Sequence, residues 1–145
     1  MTDQSMPIQY NVIYLRERRF TGSWQRYTFA QAIAGEIRTV VDAFASGLDQ
    51  SETFLTISVH DVQDGFRFFI GKDDPDGAVI LPEGNYLSAK PCDEPWQTYV
   101  GIQRLDLNPR VLFGGRRGAD SLPVKVEVFQ MTCGYCMKEI QIPLC

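Results

Sequence analysis

The chain has 145 residues, 44% hydrophobic and 22% charged, with a formal net charge of −4. That size and balance predict one globular domain, 1–145, with a core of its own. The acidic sign excludes the basic footprint of a nucleic-acid binder, and no apolar run reaches the length of a membrane span. The first residues, Met-Thr-Asp-Gln-Ser-Met-Pro, carry neither the basic nor the apolar region of a signal peptide. A cytoplasmic protein is expected, with its four cysteines mostly reduced.

In chain order, Ile8 to Leu15 reads as a first strand, and the polar stretch Arg16 to Tyr27 as strand end plus loop. Thr28-Phe-Ala-Gln31 has the form of a capping box. Ile33, Ile37, Val40, Val41 and Phe44 follow at helical spacing, so one helix is expected over Phe29–Ala45, with Gly47 as its stop. Thr53 to His60 alternates with Leu55, Ile57 and Val59 inward. Asp64-Gly65 is a turn signal, and Phe66 to Ile70 returns as a strand. This first half, about 7–72, is strand, helix, hairpin.

Asp73 to Gly77 reads as a solvated loop. Ala78 to Lys90 is extended, broken at Pro82-Glu-Gly84. Asp93-Glu-Pro95 predicts a helix start, with Asp93 as cap and Pro95 in the first turn, running to Leu105. Gly114 to Ser121 is a loop. The chain closes on Val124 to Cys145. There Val124, Val126 and Val128 face one way, and Lys125, Glu127 and Phe129 the other. Ile140, Ile142 and Leu144 then alternate with Glu139 and Gln141, as the second arm of a hairpin. The second half, about 77–145, repeats strand, helix, hairpin. The pattern predicts an α+β fold, a mainly antiparallel sheet with two helices on one face.

Most of the other chemical signals read blandly. Cys133-x-x-Cys136 lacks a second ligand pair for zinc and a helix N-terminus to activate a thiol, so it reads as two thiols at a turn. No metal site and no cofactor are expected. His60, the only histidine, reads as a surface imidazole. Asp73, Asp74 and Asp76 lack the spacing of a calcium loop. The arginines at 16, 18 and 19, and the pair Arg116-Arg117, read as solvated. A carboxylate beside an aromatic ring is different: if enclosed, Glu127 with Phe129 is a place for a cationic ligand.

Three segments carry a resemblance. Pro82-Glu-Gly-Asn-Tyr86 is similar to the Pro-x-Gly-x-Tyr segment that enters the second repeat of the GyrI-like small-molecule-binding domain. Val126-Glu-Val-Phe129 is similar to that family's Glu-x-Tyr strand, with Phe in place of Tyr, and Glu139 to Leu144 is similar to its closing strand. The family is the effector-binding module of bacterial multidrug-responsive transcription regulators, found also as a stand-alone protein. The resemblance spans about Pro7 to Leu144, and the Cys-Gly-Tyr-Cys turn departs from it.

The resemblance implies a stand-alone binder of cationic or amphipathic aromatic molecules, held in a cleft between the two repeats. Glu127 is the matching counter-charge, and the expected walls are Phe68, Tyr86, Trp96, Tyr99 and Phe129. No direct nucleic-acid or membrane partner is expected, and the protein would be a monomer or homodimer. Two alternatives stay open. One is a hydrolase of reactive small molecules on the same scaffold, using Glu127 with Glu139 or a tyrosine. The other is a protein-binding inhibitor of the gyrase-inhibitor kind.

Overall fold

A computed structural model describes residues 8–62, 64–116 and 122–145. Arg117 and most of the loop expected over Gly114 to Ser121 lie outside them. The elements in order are β1 (Tyr10–Leu15), β2 (Arg18–Thr28), α1 (Phe29–Ile33), α2 (Glu36–Ser46), β3 (Thr53–Val62), β4 (Gly65–Asp73), β5 (Val79–Leu81), β6 (Gly84–Ala89), α3 (Pro95–Gln103), β7 (Val124–Met131) and β8 (Tyr135–Pro143). The strands form one antiparallel sheet ordered β1-β6-β8-β7-β3-β4-β2-β5.

The α+β class holds and strand, helix, hairpin recurs, but the first unit opens on β2 and not on the expected Ile8–Leu15 strand. The units are β2-α-β3-β4 and β6-α3-β7-β8, and their second strands, β3 and β7, meet at the centre of the sheet. The leading strands cross over: β1 pairs with β6 of the second unit, and β5 with β2 of the first.

Only Pro82 and Glu83 separate β5 from β6. Those strands nevertheless stand at one edge of the order and next to the other edge. Three residues of chain reach at most about 11 Å, so the sheet has to curl until its edges approach. One face becomes the inside of the curl and the other the outside.

The register decides which residues go where. Phe54 opposes Phe129, Thr56 opposes Glu127 and Ser58 opposes Lys125, all on the outer face. Leu55, Ile57 and Val59 point inward, packing with Phe20, Phe69 and Val126. Arg67 donates to the carbonyl of Phe113, so the 112–113 segment is tied over that inner core. Outside, α2 lays Val41 and Ala45 on Phe54, Phe68 and Phe129. The shorter α3 lays Ile102 on Leu87, Ile140 and Ile142. Both helices therefore cover the same face, in two separate patches.

Several local expectations change. Arg16 to Tyr27 is mostly β2, not a loop. Its Thr21, Ser23 and Gln25 are exposed and mask the pattern, while Phe20 and Trp24 pack inside and Tyr27 packs outside. The helix over Phe29–Ala45 is two helices. The Thr28–Gln31 capping box forms as expected, but Ala34 closes α1 and Gly35 takes φ +90° before α2 starts. That backbone conformation favours glycine, which has no Cβ to clash. α3 begins after Glu94 rather than Asp93, without a side-chain cap, and stops at Gln103.

Phe54 and Phe129 stack with centroids 4.9 Å apart and planes 7° from parallel. They join the two halves beneath α2. Phe54→Ala should lower the unfolding free energy by about 3–5 kcal/mol, the usual range for emptying a buried Phe site. Urea denaturation checks this; a loss below ~1 kcal/mol would show that the stack contributes little.

Candidate functional site

Between the two helix-covered patches, the outer face carries polar side chains. Glu127 is placed there by the alternation of β7, with Thr56 opposite on β3 and Ile140 opposite on β8. Its carboxylate accepts a hydrogen bond from the Tyr99 hydroxyl at 2.7 Å and one from Thr56 Oγ1 at 3.3 Å. Tyr99 belongs to α3, so one hydrogen bond ties that helix to the centre of the sheet. Lys125 shares the face and sets its Nζ 4.8 Å from the Tyr99 ring centroid. That is within cation–π range. Among the described residues, Lys125 closes no ion pair with Glu127 within 4 Å.

The electrostatics follow from crowding. Glu127 keeps some contact with solvent, but its surroundings are dense enough that desolvation dominates. Burial pushes its carboxyl above the ordinary range, against the Tyr99 hydroxyl, the Lys125 charge and the Thr56 hydroxyl. Burial pushes the Tyr99 phenol well above its usual value, and the neighbouring Glu127 carboxylate adds to the rise. Burial lowers Lys125, with Glu127 opposing. His60 is not the surface imidazole expected. It is half-buried, with ring centroids 5.6 Å from Phe29 and 6.1 Å from Phe66. Burial and then the Lys125 charge lower its pKa, with Asp61 opposing.

The residues expected to line a ligand site are distributed unevenly. Glu127 and Tyr99 are joined directly. Phe129 and Phe68 share the outer face but lie inside the core under α2, only 6% and 3% exposed. Trp96, three residues before Tyr99 on α3, stands out from the surface at 61% exposure. Tyr86 is on the inner face, 1% exposed, its hydroxyl donating to the Pro82 carbonyl at 2.6 Å. Thr56 was not anticipated, although a threonine opposite a glutamate across paired strands is a readable signal once the register is known.

The Glu127–Glu139 pairing is not formed. Val128 opposes Glu139 while Phe129 opposes Met137, so Lys138 is an extra residue in β8. Glu139 is left on the inner face, accepting from Ser88 and Gln141. Two carboxylates on opposite faces cannot share one substrate. Cys133 lies in the β7–β8 turn and Cys136 at the start of β8, both as free, exposed thiols.

No family model matches the chain, and neither does any curated protein. Among solved structures, the chain is similar to SAV2435 bound to tetraphenylphosphonium, with a TM-score of 0.56 and 14% identity over 94% of each chain. At that identity the likeness is one of fold.

The raised Glu127 carboxyl fixes a sign for stability. A carboxyl that titrates higher folded than unfolded binds more protons in the native state, so its contribution is full below the unfolded value and is lost as pH rises through the folded one. Wild-type protein should therefore lose stability above about pH 4.5, the ordinary value for this group. Glu127→Gln should lack that step. Unfolding measured from pH 4 to 8 checks this; equal slopes in the two proteins would contradict it.

Proposed function

We propose that the chain is a small-molecule-binding module of the effector kind, taking a bulky organic cation over the outer face between α2 and α3. Glu127 is the counter-charge, Tyr99 the ring beside it and Trp96 an exposed ring on the same helix. Phe68 and Phe129, covered by α2, pack beside this gap and support its α2 side. The single observation that carries this reading is the Glu127 carboxylate, desolvated at the gap between two helix-covered patches and shared with Tyr99. Support comes from the fold likeness to SAV2435, whose structure holds tetraphenylphosphonium.

The chemistry is that of charge in a poorly solvated place. A cation about 4 Å from a carboxylate gains about 4 kcal/mol at an effective dielectric near 20, before desolvation. Aromatic faces add roughly 0.5–2 kcal/mol each. Micromolar affinity needs about 8 kcal/mol; one carboxylate and two rings supply roughly 5–8 kcal/mol before desolvation, and apolar contact has to supply the rest. The ammonium of Lys125 already stands over Tyr99. It is a tethered cation that a ligand has to displace, which favours large, weakly hydrated cations over small ones.

Titration with tetraphenylphosphonium tests the reading, with triphenylphosphine oxide as a neutral analogue. Glu127→Gln should weaken the cation about 10-fold or more and spare the neutral compound; tenfold is about 1.4 kcal/mol. Lys125→Met should tighten the cation. Equal affinity for the cation in wild type and Glu127→Gln would overturn the proposal.

A further inference from the structure

We propose that the inside of the curled sheet holds a second site, which binds a small planar oxyanion, the carboxylate of a small organic acid, on the free edge of Arg18. The sequence pattern predicts a solvated Arg18, and the outer-face function does not use it. It stands at the start of β2 and points into the curl, with Cζ 5.1 Å from the Tyr86 ring centroid and 5.9 Å from that of Phe20. Phe20 stands on β2 and Tyr86 on β6, so the guanidinium has a ring from each side of the gap that the β5–β6 link closes. Nε and Nη2 of Arg18 are both buried and have no hydrogen-bond partner. These two nitrogens lie on one edge of the guanidinium, the fork that grips a carboxylate through two parallel bonds.

A second observation points to the same space. Gln141 is 4% exposed, and its Oε1 also lacks a partner. Arg18 and Gln141 together line a cavity of about 120 Å³, with Phe20, Leu55, Asp73 and Val128. Water occupies roughly 30 Å³ per molecule in the liquid, so the space takes a group of several heavy atoms.

Buried polar groups left unmade are costly, and more so when charged. Two unpaired donors on a cation and one unpaired acceptor therefore define what fits. An oxyanion satisfies the fork, and a polar hydrogen on the guest or on a water beside it satisfies Gln141. Asp73 also lines the cavity, and its charge closes no ion pair with Arg18 among the described residues. It disfavours dianions there, and a singly charged carboxylate is the better guest.

The test is a titration of the whole chain with acetate at fixed ionic strength, following the Arg18 Nε–H resonance by nitrogen-15 NMR. Acetate should give a saturable shift, nitrate should compete, and neutral acetamide should give none. Arg18→Lys keeps the charge but loses the fork, and should weaken acetate about 10-fold or more while the circular-dichroism spectrum is retained. Asp73→Asn should bind acetate at least as tightly as wild type. No saturable response in the wild type would show a water-filled cavity only and overturn the proposal. An unchanged acetate affinity in Arg18→Lys would place the binding elsewhere and overturn it too.

Discussion

The pairing of β3 with β7 governs the rest of the structure. It is the seam between the two repeats, and seven consecutive residue pairs, from Thr53–Gln130 to Val59–Val124, set its register. A slip of one residue would turn every side chain to the opposite face. Glu127 would enter the inner core among Ile57 and Phe69, and Phe129 would leave its stack on Phe54. The apolar sets on both faces therefore protect the polar one. The inner valines and isoleucines and the outer phenylalanines fix the strands, and Glu127 is held in position as a consequence.

The curl gives the molecule two unlike interiors. Outside the sheet, α2 and α3 cover aromatic and aliphatic patches, leaving Thr56, Lys125 and Glu127 between them. Inside, strand residues pack against one another, and one end is polar, with Arg18, Ser88, Glu139 and Gln141 on the inner face. Charges in such places are expensive unless partnered. The outer carboxylate has partial partners in Tyr99 and Thr56, and burial still raises it. That residual imbalance is what a bound cation would relieve. A folded protein that keeps a poorly compensated charge sacrifices stability at that point, a common feature of functional sites.

The sequence was most legible where one period dominated. Val124 to Phe129 alternates without interruption, so Glu127, Lys125 and Phe129 were correctly placed on one face. The same held for Ile140 and Ile142 against Glu139 and Gln141. Legibility failed where a long-range constraint decided the outcome. β2 was obscured because its outer positions include Thr21, Ser23 and Gln25, and the strand is recognisable only beside β4. The break at Gly35 depends on one residue adopting positive φ inside an otherwise helical stripe. Tyr86 and Arg18 belong to the inside of the curl, and the curl follows from sheet order, which alternation within single strands does not reveal. Phe68 and Phe129 sit on the expected face, but α2 covers them. Periodicity reports the face of a strand and not the element that packs upon it.

The central claim is that the outer-face carboxylate is desolvated when empty and held ionised by a bound cation. Carbon-13 NMR titration of the Glu127 side-chain carboxyl, with and without saturating tetraphenylphosphonium, measures this directly. The account predicts a free-state pKa above the ordinary 4.5, falling when the cation is bound. A carboxyl that titrates at its ordinary value and does not move with the cation would contradict it.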